Sequence, residues 1–455
     1  MIKFFPISIF AIVFTSIIPH ESSLALNLPD ALARAYQSNP TLEAERARLR
    51  FTDEGVPQAL SDWRPTVTVS GSYGAKRSNS TTNGPANKSA DVTQPLTGSL
   101  TITQNVYKGG RIAAATQQAE NNVKADRARL FATEQTVLFD TATAYADVVR
   151  DAAVLELNQN NEVVLWRQLQ ATQDRFQVGE VTLTDVSQAE SRLARAQAER
   201  IAAEGRLSTA RAIFQNLVGL APTSLQPAEP LTGIPATLKS AIEQTKRNNF
   251  NILRARYVER SAGNKVRIVS GELLPTVSIN GSLEANDETT KDRSASEKMS
   301  IIAKITMPLY SSGSVRSRIR AAKQTVSQRR DESSQAVRNA VQNTTAAWQT
   351  LETGRAQIRA YSQSVKAAEI ALEGLREEAK VGSRTLLDVL DAEQELLDAR
   401  VGLVTAKRDE LVASFQIRRA LGNLTAAKLK LPVNLYSMDE YYSKVRRRWW
   451  GLTTK

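Results

Sequence analysis

The sequence predicts a mainly α-helical fold with a β-barrel portion, in which one architecture is present twice along the chain. Two observations support this prediction: a stretch of sequence recurs at a constant offset, and each half changes from a helical to an alternating hydrophobic period and back. The recurring stretch runs from Val178 to Ala196 and again from Val381 to Ala399. Identical residues stand at the matching positions Val178, Gly179, Asp185, Val186, Ala189, Glu190, Leu193 and Ala196, and Val381, Gly382, Asp388, Val389, Ala392, Glu393, Leu396 and Ala399. The two halves of about 200 residues are too long for solenoid units, so we interpret them as a duplicated architecture.

The composition argues against catalysis. The chain contains no cysteine, and its single histidine, His20, lies near the N-terminus. Most nucleophile–base pairs and nearly all structural zinc sites need one of these residue types. We therefore expect no enzyme activity, no cofactor and no intrinsic metal site. The net charge of +12 raises the alternative of a nucleic-acid binder, but the basic residues are interleaved with Glu and Asp along the helices, so no nucleic-acid partner is expected.

Residues 1–25 have the pattern of a secretory signal peptide. Lys3 supplies the charged start, Phe4 to Ile18 form the apolar run, and Ser23 to Ala25 form a small-residue cleavage site. A transmembrane anchor is the alternative, but the apolar run is shorter than the ~20 residues that a spanning helix needs. No other stretch is apolar enough to span as a helix, so the mature chain is expected to be exported and to enter a membrane only through strands.

The first repeat covers residues 26–219. A helical pattern runs from Leu28 to about Trp63, and alternation of apolar and polar residues then predicts a β-hairpin at about 64–106. Its two strands are expected to be joined by a polar loop, rich in Ser, Thr, Asn and Gly, from Ala75 to Pro95. Residues 111–177 contain neither Pro nor Gly, which predicts one uninterrupted helix. About 67 residues at 1.5 Å each give roughly 100 Å of helix, much longer than a globular helix. A returning helix is predicted at 181–219.

The second repeat, residues 249–424, follows the same order. A helix leads into a β-hairpin at about 275–309, and a long helix at 314–380 is interrupted only by glycines. A returning helix is predicted at 384–422. The repetition of every element in the same order strengthens the interpretation of a duplication.

Both hairpins alternate apolar or small residues with polar ones. The shared apolar face comprises Val67, Val69, Gly71 and Tyr73, then Leu96, Gly98, Leu100 and Ile102, then Val277, Ile279, Gly281 and Leu283, and finally Met299, Ile301, Ala303, Ile305 and Met307. A soluble hairpin is the alternative, but the strand lengths approach the 9–11 residues of a tilted membrane strand. Four strands cannot close a membrane barrel, since the smallest have about 8, so other copies must complete the sheet. Three copies give about 12 strands.

The returning helices carry heptad seams. One row of each seam is mostly alanine, namely Ala189, Ala196, Ala203 and Ala210 in the first repeat and Ala392, Ala399, Ala406, Ala413 and Ala420 in the second. A generic amphipathic helix is the alternative. Alanine at matching places in both repeats favours a tight antiparallel pairing of each returning helix with the long helix before it, because small residues let helices approach closely.

Two segments stand outside the repeats. Residues 220–248 are Pro-rich at their start and predict a linker or a peripheral layer that includes a short helix. Residues 425–455 predict a peripheral C-terminal tail, packed on the outside of the helices. Its basic aromatic patch from Lys444 to Trp450 is either a contact for an anionic surface or a flexible end.

These features resemble the TolC family of outer-membrane efflux and type I secretion ducts. The most specific matches are Arg175 to Gly179 with Thr184 to Val186, Val381 to Ala392, and Ala420 to Gly422. The resemblance implies a homotrimer, with a 12-stranded β-barrel in the outer membrane of a Gram-negative bacterium and a 12-helix α-barrel in the periplasm. It also implies outer-membrane lipid, a periplasmic adaptor (membrane fusion protein) and an inner-membrane RND or ABC transporter as partners. The adaptor is expected to dock near the turns at Gly179 and Gly382.

The resemblance further implies a gate at the periplasmic tip. Asp388 and Asp391 lie three residues apart and share a helix face, so a trimer would place them in two carboxylate rings that favour cations and hold a blocking cation. The family also has a basic residue, here Arg384, that ties to Asp185 and Thr184 on the neighbouring helical hairpin. Helix capping is the alternative role for Asp185 and Asp388.

Capping symmetry does not explain Asp391, because the first repeat has Gln188 at the matching position. The predicted function is a passive exit duct of a tripartite export system, for multidrug efflux, type I protein secretion or both. The alternative is a trimeric coiled-coil envelope protein without a pore, with a structural or adhesive role. The alternating strands favour the duct.

Overall fold

The computed structural model describes residues 26–80, 89–222, 224–289 and 294–453. The predicted signal peptide, residues 1–25, lies outside these ranges. Across the described helices, no segment combines the length and the apolar character that a membrane-crossing helix requires.

Most of the described chain is helical. The helices are α1 (Leu28–Ser38), α2 (Pro40–Asp53), α3 (Gly55–Ser61), α4 (Arg111–Gln177), α5 (Leu183–Val218), α6 (Leu238–Asn248), α7 (Phe250–Ser270), α8 (Ser314–Lys380), α9 (Leu386–Ala420) and α10 (Met438–Arg446). The strands are β1 (Thr66–Tyr73), β2 (Lys76–Ser80), β3 (Ser89–Thr93), β4 (Leu96–Lys108), β5 (Thr276–Asp287) and β6 (Ala295–Thr306). The mainly α-helical class with a β portion and the duplicated order of elements are confirmed.

The helical pattern predicted from Leu28 to Trp63 is divided into three helices. The first break falls at Asn39, whose side-chain oxygen accepts a hydrogen bond from the Thr41 N–H at 3.0 Å and caps α2. Pro40 occupies the first position of α2, where its missing N–H costs nothing. The same capping occurs at the start of α7, where Asn249 accepts from the Asn251 N–H at 3.0 Å.

The sheet joins the two repeats. Its strand order is β1-β4-β5-β6, and all three pairings are antiparallel, so β4 and β5 bring the hairpins together while β1 and β6 form the edges. The predicted apolar residues are in register across the strands: Val69 faces Leu100, Leu100 faces Leu283, and Leu283 faces Met299. Along these rows one face of the sheet is therefore apolar across all four strands, and much of it is exposed in the single chain.

The opposite face of the sheet is polar. Serine hydroxyls hydrogen-bond across it, Ser70 to Ser99 at 2.7 Å and Ser282 to Ser300 at 2.8 Å. A two-faced sheet of this kind suits a strand wall between lipid and water.

The first hairpin extends beyond the predicted strands. The stretch between them was predicted to be a polar loop, but β2 and β3 pair as a separate two-stranded ribbon, with Lys76 opposite Thr93. The pattern did not show these strands because they lack apolar alternation, which is the signal that the prediction uses.

Each long helix pairs with its returning helix along the alanine rows. Ala189, Ala196, Ala203 and Ala210 of α5 are buried, as are Ala392, Ala399, Ala406 and Ala413 of α9. The second row of each seam is apolar except for one charged residue: Arg200 stands among Val186, Leu193, Leu207 and Phe214, and Glu410 stands among Val389, Leu396, Leu403 and Ile417. Arg200 is paired with Glu162 of α4 at 2.6 Å, and Glu410 faces Arg355 of α8 at 3.4 Å, so ion pairs bridge the helices where apolar contacts are missing.

The core lies around the middle of α4. Tyr145 is fully buried there, and its hydroxyl lies 3.0 Å from the Leu26 carbonyl and 2.6 Å from the Gln226 carbonyl, which ties the N-terminal segment and the linker to the helix. The C-terminal segment begins in this core, because Leu424 and Ala426 are fully buried before the chain reaches α10.

Candidate functional site at the helical tips

Each helical hairpin ends in a turn of the same construction. At the end of α4, Gly179 has φ +80°, its N–H donates to the Phe176 carbonyl at 3.0 Å, and the Glu180 N–H donates to the Arg175 carbonyl at 2.9 Å. In this Schellman arrangement a left-handed residue lets the chain satisfy the last helix carbonyls. Gly382 has the same φ after α8. A side chain with a Cβ would cost about 1–2 kcal/mol in that conformation, which explains glycine at both turns.

A threonine and an aspartate begin the returning helix at each tip. Asp185 Oδ2 accepts from the Thr182 N–H at 2.8 Å, and Thr182 Oγ1 accepts from the Asp185 N–H at 3.3 Å. Thr385 and Asp388 form the same capping box, with distances of 3.0 and 3.3 Å. The hydrogen bond from the threonine backbone N–H is the main reason that the pKa of each carboxyl is lowered. The capping role considered for Asp185 and Asp388 is thus present in the chain.

Arg384 is paired within its own turn. Its Nε donates to Glu378 Oε2 at 2.8 Å, and this hydrogen bond raises the pKa of the guanidinium group. In the described part of this chain, no hydrogen bond or ion pair joins Arg384 to Asp185 or to Thr184, which is exposed on the first turn of α5. The Schellman turn brings Arg384 close to Glu378, whereas the other tip belongs to a separate hairpin. The lock contact therefore remains a prediction for the assembled protein.

Asp391 joins the two hairpins of the chain. Its Oδ1 accepts a hydrogen bond from Arg192 Nη2 of α5. Beside this ion pair, Leu390 is buried against Leu165 and Leu193, so α9 packs on the first hairpin at this level. Sequence reasoning singled out Asp391 but missed Arg192.

A signal for Arg192 was present in the duplication. At the repeat offset, Arg192 corresponds to Glu395, just as Asp391 corresponds to Gln188. Both positions break the symmetry of the repeats by charge, and the charges introduced at Arg192 and Asp391 are opposite in sign.

The ends of the hairpins expose apolar side chains. Val178 and Val381, which directly precede the turn glycines, are largely exposed, and so is Leu183 at the start of α5. Exposed apolar residues grouped at one end of a molecule are typical of a surface that contacts another protein.

The fold and the tips together define a class of protein, in which a two-faced membrane sheet carries long helical hairpins that project away from it. The family described as Outer membrane efflux protein matches residues 31–220 and 241–423. The Outer membrane efflux protein BepC of Brucella suis is 33% identical over 96% of this chain and 94% of its own length. The Outer membrane protein TolC of Escherichia coli is 26% identical over 90% of this chain and 84% of its own length.

Solved structures show the same fold. The Campylobacter jejuni CmeC outer membrane channel superposes with a TM-score of 0.79 and 17% identity, over 92% of this chain and 89% of its own. The chain belongs to the outer membrane efflux protein family. This agrees with the resemblance that the paired tip motifs indicate. It is an outer-membrane channel protein of efflux or type I secretion.

Proposed function

We propose that three copies of the chain form a passive exit duct with no enzymatic activity. The observation that carries this proposal is the sheet, which has a face that is apolar across all four strands and leaves the edges of β1 and β6 without a partner strand among the described residues. Unpaired strand edges are not tolerated in lipid, so further strands must close the sheet. Three copies supply about 12 strands, enough for a barrel with an open lumen lined by the polar face.

The helical hairpins extend the duct away from the membrane. Six hairpins from three copies would pack side by side into an α-barrel in the periplasm. The exposed valines beside Gly179 and Gly382 support docking of a periplasmic adaptor at the turns. An inner-membrane RND or ABC transporter would supply the energy for export. The cargo is a drug-like compound, a secreted protein or both.

The gate belongs to the second tip. In a trimer, Asp388 and Asp391 would form two stacked carboxylate rings that favour cations and accept a blocking cation. The two hydrogen bonds that the Asp388 carboxylate accepts from Thr385 both fall on Oδ2. Among the described residues, Oδ1 accepts no hydrogen bond and is available to the ring. Asp391 is neutralised by Arg192 in this chain, so the strength of its ring depends on that pair.

The lock would act between neighbouring hairpins. When the tips of adjacent copies meet, Arg384 would exchange Glu378 for Asp185 and Thr184. Such an Arg–carboxylate contact would hold the tips closed, and its release would open them.

Planar-bilayer conductance with a trivalent cation on the helix side tests the gate. Asp388→Asn combined with Asp391→Asn is expected to leave the trimer assembled, raise conductance and abolish the cation block. Arg192→Gln is expected to strengthen the block, because it frees the Asp391 carboxylate. Asp398→Asn is the matched control, since it removes the same charge two turns farther from the tip.

Two outcomes would count against these assignments. Unchanged conductance and block in the double variant would remove the gate from Asp388 and Asp391. Absence of conductance from a verified trimer, also after Arg384→Ser, would favour the coiled-coil envelope protein without a pore.

A further inference from the structure

The C-terminal segment returns to the base of the sheet. Helix α10 is fixed to the helical body by Arg127, whose Nη2 lies 2.7 Å from Asp439, and by Arg446, whose Nη2 lies 2.9 Å from Glu120 of α4. Tyr441 adds a hydrogen bond from its hydroxyl to Glu54 at 2.7 Å. These contacts with α2–α4 therefore fix the position of α10 and of the start of the segment that follows it.

Arg64 holds the tail beside the first strand. Its Nη1 donates to the Arg448 carbonyl at 2.7 Å, and its guanidinium lies over the Trp449 ring, 4.8 Å from the centroid. Arg64 stands two residues before β1 begins at Thr66. The tail is thus placed at the end of the sheet nearest the helices.

The side chains of the tail are arranged for a surface that is partly apolar and partly anionic. Trp449 is 60% exposed, Trp450 is 86% exposed, and Leu452 is fully exposed. Arg447 is exposed and forms no ion pair within the described chain. A partner surface for these side chains must offer an apolar layer to the large exposed side chains and a negative charge to the unpaired cation.

Other aromatic residues lie at the same level of the sheet. Trp63 stands just before β1, Tyr107 near the end of β4 and Tyr310 just after β6, and all three are substantially exposed. Tryptophan and tyrosine at strand ends mark the boundary between hydrocarbon and water in membrane strands. The tail therefore lies at the level of this boundary, beside edge strand β1.

We propose that residues 446–452 form a lipid-binding segment that contacts the anionic phospholipid surface of the leaflet facing the long helices. Trp449 and Trp450 enter the interfacial layer, and Arg447 pairs with lipid phosphates. Basic residues beside an interfacial aromatic pair gain both electrostatic attraction and apolar burial at such a surface. The segment acts as a collar that fixes the depth of the barrel beside β1, a role separate from conduction.

Tryptophan quenching in vesicles tests the proposal on the full-length trimer. Vesicles of phosphatidylcholine and phosphatidylglycerol are prepared with bromine on the chains of one lipid or the other. The wild type is expected to show at least about twofold stronger quenching by the brominated anionic lipid, and high salt should reduce this preference. Trp449→Phe with Trp450→Phe is expected to remove the preference, and Arg447→Gln to weaken it while quenching itself persists.

Trp166→Phe is the matched control. Trp166 is 49% exposed, comparable to Trp449, but it lies about 80 Å along α4 from the sheet, so its loss should not alter quenching by either lipid. If each brominated lipid quenches the tail double variant as strongly as it quenches the wild type, the proposal is overturned. The tail would then face a protein or solvent. Equal quenching of the tail by both lipids at low salt would overturn the anionic recognition.

Conductance measured on the same vesicles separates this proposal from the duct. A conducting trimer whose tail is not quenched overturns only the lipid contact. A quenched tail on a trimer that does not conduct, also after Arg384→Ser, overturns only the duct.

Discussion

At the residue scale, matched side chains of the two repeats share one structural role, whereas a second role is found in only one repeat. Asp185 and Asp388 both close capping boxes, and the pKa of each is lowered by hydrogen bonds from its threonine. Asp391 lies one turn farther along α9 and takes no part in capping. Its pairing with Arg192 of α5 shows that the asymmetric position carries the contact between the hairpins.

Glu134 is a buried carboxyl whose ionisation opposes folding. It is 5% exposed, it accepts the Ala426 N–H at 2.7 Å, and burial raises its pKa to about 7. The folded state binds the proton of the Glu134 carboxyl more tightly than the unfolded state does. The contribution of the protonated carboxyl to stability is therefore full below about pH 4.5 and is lost as pH rises towards 7. Glu134→Gln keeps an acceptor for the N–H and removes the cost of ionisation.

We expect Glu134→Gln to stabilise the protein at pH 8, by at most about 3 kcal/mol per chain, and to have little effect at pH 4.5. Thermal unfolding of the detergent-solubilised protein, followed by circular dichroism at both pH values, measures this difference. Glu156→Gln, at an exposed position on the same helix, is the control and should shift neither midpoint. Equal shifts at the two pH values for Glu134→Gln would refute the ionisation argument.

At the element scale, the alanine rows set how closely the helices of each hairpin approach. Ala203 is 1% exposed at the α4–α5 contact, whereas the adjacent Ala202 is exposed. We expect Ala203→Leu to overpack the seam and to destabilise the hairpin by about 1–3 kcal/mol. Ala202→Leu adds the same volume outside the seam and should be tolerated. Hydrogen exchange of α5 amides provides the measurement, and similar protection in both variants would contradict a seam at Ala203.

The elements differ in how far the sequence alone predicts them. The bounds of α4 and α8, 111–177 and 314–380, coincide with those expected, because a long helical pattern without proline is a local property of the sequence. Ribbon β2–β3 was missed because polar strands carry no alternation. The Arg192–Asp391 pair was missed because its residues lie 199 positions apart and meet only when two hairpins pack.

At the scale of the whole molecule, two neighbouring residues of β6 face opposite environments. Ile301 belongs to the apolar face, in register with Gly281, and is 74% exposed. Ile302 is 57% exposed on the opposite face, which it shares with Lys304 and with Lys298, the register partner of Glu284. Lys304 is thus a nearest neighbour of Ile302 on its face, whereas the nearest neighbours of Ile301 on β6, Met299 and Ala303, carry no charge. If the sheet is a barrel wall, the first isoleucine faces lipid and the second faces the lumen.

This difference in environment predicts opposite outcomes for the same substitution one residue apart. Ile301→Lys would place an ammonium group near the bilayer midplane, at a cost of about 2–4 kcal/mol in each copy, and should prevent stable insertion. Ile302→Lys would add a charge to the water-filled side and should insert normally. The amount of heat-modifiable trimer in outer-membrane fractions measures both variants. Equal amounts of trimer would contradict the proposed barrel wall. The two positions hold the same residue type on the same strand at nearly the same depth, and they differ only in the face of the sheet that they occupy.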